Sequence, residues 1–162
     1  MNRVCFSLGS NLGERGAILK EATTAIEEQI GYIIAYSSFY ESTAIGFEAE
    51  TKFLNSCLII DSLLSPNEIL SITSEIETKL GRTRTKDGYQ SRTLDIDIIF
   101  YNDDIIETTD LRIPHPRMHE RLFVLLPLKE LIAKQIHPEL GLSIEQLIDQ
   151  CPKQPIPCLY KS

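Results

Sequence analysis

The order of predicted elements, β-α-β-β-α-β, puts this chain in the α+β class with a ferredoxin-like core. Three observations lead there. Two segments carry apolar residues at helical spacing between clear start and stop signals. Four others are short runs rich in β-branched and aromatic residues. The two kinds interleave within 162 residues, a length that favours one domain, here 1–162, with a sizeable core.

"VCFSL" is the first strand, and "GSNLGERG" after it is turn-forming. That loop resembles a phosphate cradle but lacks the Lys-Ser/Thr ending of a P-loop. From about Glu14 to Gln29 a helix is predicted, since Ile18, Ala22, Ala25, Ile26 and Ile30 recur at helical spacing and Gly31 offers a stop. "YIIAYSSFYES" and "KFLNSCLIIDS" read as the second and third strands. In "LSPNEILSITSEIETKLG" Ser65 is a good N-cap, Pro66 suits the first helical position and Glu68 completes a capping box. Ile69, Ile72, Ile76 and Leu80 form its buried stripe, and Gly81 suits its end. "TLDIDIIFY" is the fourth strand. A short strand pair near 105–113, one or two helices between about 117 and 149, and an irregular proline-rich tail from about 150 complete the chain.

Apolar residues make up 43% of the chain and charged ones 24%, the balance of a globular protein. A net charge of -7 argues against a general binder of nucleic acid or membrane surfaces. The four cysteines fit no paired zinc spacing, and Cys5 and Cys57 lie in apolar runs where a thiol acts as a small hydrophobe. No run is long enough for a signal peptide or a membrane span. These features predict a cytoplasmic protein with reduced thiols.

The fourth strand carries the chemistry. Side chains alternate across a strand, so Asp95 and Asp97 share one face, roughly 6–7 Å apart. Leu94, Ile96, Ile98 and Phe100 form the opposite, core-facing row, while Ile99 and Tyr101 continue the aspartate face. Two carboxylates this close raise each other's pKa unless a cation lies between them. Mg²⁺ with substrate phosphates suits such a pair; a solvated sheet face is the alternative. Just ahead, "GRTRTKDGYQSR" sets Arg82, Arg84, Lys86 and Arg92 against Asp87 alone. Its arginines offer bidentate geometry to phosphate oxygens, and its length and lack of apolar periodicity predict a functional loop. Loop and aspartates together predict a site for Mg²⁺ and a nucleoside polyphosphate.

A second basic cluster, His115, Arg117, His119 and Arg121, lies in "IPHPRMHERLF". Pro114 and Pro116 argue against a helical zinc pair of His115 and His119, which favours phosphate contact. On the third strand Phe53 and Asn55 share a face; they suit a flat heterocycle, or equally a core ring beside a hydrogen-bonded amide.

"SLGSNLGER", "SSFYES", "FLNSC", "SRTLDIDIIFY" and "IPHPRMHERLFVLLPL", in this order, resemble the 6-hydroxymethyl-7,8-dihydropterin pyrophosphokinases from about residue 3 to 148. That resemblance implies transfer of a pyrophosphoryl group from ATP to a pterin alcohol in folate biosynthesis. It implies two Mg²⁺ ions on Asp95 and Asp97, and Arg82, Arg84 and Arg92 closing over the triphosphate with His115 and Arg121. Arg82, Arg92, Asp95 and Asp97 would be catalytic, with Glu77 and Ile98 beside the nucleotide. Phe53 and Phe123 would sandwich the pterin, Asn55 would bond its polar edge, and Ser42, Thr43 and Ile45 would line the same pocket. Tyr89 stands where the family commonly has tryptophan and keeps an aromatic lid, while Gln90 and Ser91 replace a usual glycine and a frequent proline. ATP and the pterin would be the only partners, with no nucleic acid or membrane, and a monomer is expected. An RNA-recognition module on the same strand order would need stacking aromatics on its first and third strands, which "VCFSL" and "FLNSCLII" do not supply. A small-ligand module that performs no reaction would give no reason for two aspartates beside a basic loop.

Overall fold

A computed structural model describes residues 1–11, 14–43, 52–84, 90–92 and 94–161, with backbone alone at 82–84 and 90–92. The chain begins with β1 (Asn2–Ser10), α1 (Arg15–Gln29), β2 (Tyr32–Tyr36), β3 (Tyr40–Ser42), β4 (Phe53–Ser62) and α2 (Pro66–Gly81). A hairpin of β5 (Arg82–Arg84) and β6 (Gln90–Arg92) leads to β7 (Asp95–Tyr101). Then come β8 (Ile106–Glu107), β9 (Arg112–Ile113), a 3-10 turn (Met118–Glu120), α3 (Leu122–Ile132), α4 (Ile144–Asp149) and β10 (Cys158–Leu159).

The main sheet is antiparallel, in the order β10-β3-β4-β1-β7, with β2 also pairing to β4. Counting β2 and β3 as one interrupted strand, this is the βαββαβ arrangement that the sequence predicts. The interruption has a local cause. The Ser37 hydroxyl accepts the Cys57 amide N–H at 2.9 Å, so a side chain takes the place of a ladder bond where the strand bends.

The two predicted helices form one layer. Leu19, Ala22 and Ile26 of α1 and Ile69 and Ile76 of α2 pack on Val4, Phe6, Leu8, Leu54, Leu58, Ile60, Leu94, Ile96 and Ile98. The capping box is present, with Glu68 N–H donating to the Ser65 hydroxyl and Ser65 N–H to the Glu68 carboxylate, both at 3.2 Å. Gly31 does more than end α1. A Cβ there would meet the Asp61 carbonyl oxygen at 2.2 Å, so glycine permits the backbone to run against β4.

Among the described residues, the second face of the sheet is covered over part of its area. α3 and α4 pack Val124, Leu125, Leu128, Ile144 and Leu147 on Cys5, Cys57, Ile59, Ile99 and Phe100. Here the strict alternation expected along β7 fails. Cys5 pairs with Phe100 but Phe6 with Ile98, so Ile99 is an extra residue in a β-bulge. Ile99 and Phe100 therefore both join the second face, while Tyr101 turns to the α1/α2 side and donates its hydroxyl to the Leu64 carbonyl at 2.7 Å. Phe100 thus leaves the row assigned to it, and Tyr101 takes its place.

The proline-rich tail is not irregular throughout. Cys158 and Leu159 pair with Glu41 and Tyr40, and Tyr160 N–H donates to the Phe39 carbonyl at 2.8 Å. Among the described residues no helix is long and apolar enough to cross a membrane.

Candidate active site

Where α3 and α4 leave the sheet uncovered there is a cleft of about 520 Å³. Its floor is the strand face opposite α1 and α2. The register sets Asp97 against Ser7 and Asp95 against Gly9, and Gly9 in turn against Asn55. Asp95 and Asn55 therefore flank Gly9, about 10 Å apart across two strand spacings. Phe53 lies on the same face as Asn55, and Ser42 and Thr43 close that end. Arg117, Glu120, Arg121 and Phe123 form one wall, and Pro152, Lys153 and Gln154 enter from the tail.

Asp95 and Asp97 are half-buried, at the start of an edge strand held by α2. The Glu77 carboxylate accepts the Ile96 N–H at 2.9 Å, which fixes the strand between the two aspartates. That amide points away from β1, so the backbone groups of Ile98, two residues on, face the same outer edge. The Ile98 side chain is buried in the core.

Arg121 faces this pair. Burial pushes its guanidinium pKa below the usual value and Arg117 adds to the effect, while Asp97 and Asp95 oppose it. Its guanidinium also lies 5.6 Å from the centre of the Phe123 ring, within cation–π range. The wall therefore joins an aromatic face to a cation.

Asn55 is 3% exposed, and its Nδ2 donates to the Ser42 hydroxyl at 2.7 Å. Oδ1 faces Gly9, where a Cβ would come within 3.0 Å of it. A shared strand face left two meanings for Phe53 and Asn55; both line the cleft.

His115 does not belong with the cations. Burial first, then Arg121 and Arg117, lower its pKa to about 4, so it is neutral at pH 7. Its Nδ1 accepts the Arg117 N–H at 3.2 Å, which leaves Nε2 as the protonated nitrogen and a neutral donor. Arg117 and His119 both lie against Glu120, at 3.6 and 3.8 Å.

The basic segment is partly a hairpin, with Arg82 opposite Arg92 and Arg84 opposite Gln90. The side chains of Arg82, Arg84 and Arg92 lie outside the described residues, as do Ile45 and Tyr89. Ser7, Gly9, Glu120 and Gln154 were not expected in the cleft. Gly9 sits in a stretch that reads as a turn, and no local pattern brings Gln154 to residues more than thirty positions earlier.

Among the described residues no three His, Cys, Asp or Glu side chains converge. The carboxylate pair offers a metal only oxygen donors, which suits a hard divalent cation whose shell is completed by substrate oxygens. A larger groove, about 860 Å³, runs along the outer face of α2 toward Thr108–Asp110. Among the described residues its charged groups are Glu75, Lys79 and Asp110, and these show no cluster of cations for a polyphosphate.

Comparison with known proteins places these features in context. Residues 5–133 match the family described as 7,8-dihydro-6-hydroxymethylpterin-pyrophosphokinase (HPPK). The chain is 42% identical over 141 residues to the 2-amino-4-hydroxy-6-hydroxymethyldihydropteridine pyrophosphokinase of Bacillus subtilis, covering 86% of this chain and 83% of that one. It is 40% identical over 139 residues to the protein of the same name from Porphyromonas gingivalis, covering 84% and 94%. A solved HPPK-DHPS chain from Plasmodium falciparum superposes with a TM-score of 0.74 at 17% identity, over 92% of this chain. This chain spans 44% of that longer one, and the likeness concerns the fold.

Proposed function

This chain belongs to the 7,8-dihydro-6-hydroxymethylpterin pyrophosphokinase family, and we propose that its cleft transfers pyrophosphate from ATP to the hydroxymethyl group of 6-hydroxymethyl-7,8-dihydropterin. The products are AMP and the pterin diphosphate, and the step belongs to folate biosynthesis. One observation carries the assignment to this cleft: an acidic pair and an aromatic-amide wall share one sheet face, with Arg121 beside both.

The pterin lies between Phe53 and Phe123, with its polar edge toward Asn55 and with Ser42, Thr43 and Ile45 at the same end. The Asn55 Nδ2 donates to the Ser42 hydroxyl, which ties the amide to the end of the cleft where the pterin edge lies. The family resemblance assigns Tyr89 to this end as an aromatic lid. The triphosphate lies over Asp95 and Asp97, and Arg82, Arg84 and Arg92 close on it from the hairpin. Arg121 and the neutral His115 add donors from the opposite wall. Glu77 holds β7 beside the nucleotide, whose base meets the outer edge of that strand at Ile98.

The hydroxymethyl oxygen attacks the β-phosphorus in line, and the bond from that phosphorus to the oxygen bridging to the α-phosphate breaks. Two Mg²⁺ ions fit the oxygen donors of Asp95 and Asp97, and when bound they neutralise phosphate charge and lower the pKa of the attacking hydroxyl. Arg121, Arg82 and Arg92 stabilise charge on the transferred group by bidentate donation. The hydroxyl proton passes to solvent water as the new P–O bond forms, so no side chain needs to serve as a dedicated base. One chain supplies every group named, which supports a monomer, and reliance on ATP supports a cytoplasmic enzyme.

Product analysis tests the reading. With ATP, Mg²⁺ and the pterin, the chain should release AMP and pterin diphosphate in equal amounts. ADP with a pterin monophosphate, or ATP breakdown that ignores the pterin, would contradict it.

A further inference from the structure

Arg121 joins the 3-10 turn to α3 in an extended conformation, with φ -125° and ψ 104°, and its own side chain makes no cap hydrogen bond. The first amide of a helix has no partner inside it, so the Leu122 N–H needs an acceptor from elsewhere. Gln154 provides one from 32 residues away. Its Oε1 accepts the Leu122 N–H at 3.0 Å, and its Nε2 donates to the Glu120 carbonyl at 2.8 Å. One side-chain amide therefore spans the backbone on both sides of Arg121.

Gln154 is itself held. Its Nε2 also reaches the Pro152 carbonyl at 3.0 Å and the Cys151 sulfur at 3.3 Å. Beyond it the tail continues to the edge of β3, where Cys158 and Leu159 pair with Glu41 and Tyr40. The Arg15 guanidinium, bonded to Glu41 at 2.8 Å, lies 5.5 Å over the Tyr160 ring. The segment bearing Gln154 is thus fastened to both walls of the cleft. The residues matched by the family end at 133, so that match does not reach it.

We propose that Gln154 is a positioning residue for Arg121. Its amide fixes the backbone on either side of Arg121 and so directs the guanidinium over Phe123 and toward Asp95 and Asp97. A long side chain inherits any rotation of its own backbone, and misplacement by about 1 Å at a reacting site can cost about 10²-fold in rate. The inference rests on the reading above, in which Arg121 binds the transferred phosphates.

The test uses the full chain with Gln154→Ala and Gln154→Glu, each alone and combined with Arg121→Ala. Gln154→Ala should lower kcat/KM roughly 10- to 100-fold with little change in melting temperature. Gln154→Glu keeps the acceptor for Leu122 but loses the donor to Glu120, and should fall between. In the Arg121→Ala background the same Gln154→Ala change should cost less than about twofold, because the group it positions is gone. Equal losses in both backgrounds would overturn the proposal. The Arg121 Nε–H NMR signal, read without substrate, should shift or broaden in Gln154→Ala, and an unchanged signal would overturn it as well. If the unaltered chain forms no AMP, the functional reading fails, and this signal still decides the role of Gln154.

Discussion

At Gly9 a missing side chain shapes the cleft floor. A Cβ there would stand 3.0 Å from Asn55 Oδ1 and 3.9 Å from the Phe53 ring, so the glycine leaves room for the groups that meet the pterin. Gly9→Ala should therefore raise the KM for the pterin by about tenfold, or about 1.4 kcal/mol, while the KM for ATP moves less than twofold. Equal rises for both substrates would mean that the change acts on the fold and not on the pterin wall. His115 gives a second prediction, with a definite sign. Its pKa is lowered to about 4 from 6.5, so between those values the unfolded chain binds a proton that the folded one does not. The stability gained by keeping it neutral is complete above pH 6.5 and is lost as the pH falls toward 4. His115→Gln should flatten the fall in urea midpoint between pH 7 and pH 4.5, and parallel curves for the two proteins would contradict the assignment.

Among the elements, β7 owes its position to α2. The Glu77 carboxylate accepts the Ile96 amide, and this charge-assisted bond holds the strand between the two aspartates. Glu77→Ala should cost about 1–2 kcal/mol in stability and weaken nucleotide binding, whereas Glu77→Gln keeps an acceptor oxygen and should recover most of both. If Gln and Ala are equally damaging by chemical denaturation and nucleotide titration, the bond is not the anchor. α2 itself was legible, because a capping box and a helical stripe are local patterns that need no partner. The bend at Ser37, the bulge at Ile99 and the pairing of Arg82 with Arg92 were not. Each depends on the register of a neighbouring strand, and a one-residue insertion moves the following side chains to the other face. Hence Phe100 and Tyr101 exchange places while Asp95 and Asp97, which precede the bulge, keep the face that alternation assigns them.

Among the described residues the molecule is a sheet with α1 and α2 on one face and α3 and α4 on part of the other, beside which the cleft lies. Its acidic pair and its Phe53–Asn55 pair were legible because each lies on a single strand. Their meeting in one cleft was legible only through the family resemblance, since it depends on register, with Ser7 and Gly9 of the central strand bringing them together. Gln154 was the least legible, because it caps a helix far away in sequence and carries no motif of its own. Titration calorimetry with a non-hydrolysable ATP analogue, with and without Mg²⁺ and the pterin, tests most directly whether Asp95 and Asp97 bring metal and nucleotide to the pterin wall. The unaltered chain should bind the analogue in a Mg²⁺-dependent way and bind the pterin more tightly once the nucleotide is in place, and the double variant D95A/D97A should lose the Mg²⁺ dependence. Analogue binding in that variant with undiminished Mg²⁺ dependence would contradict the placement of the metal and of the reaction in this cleft.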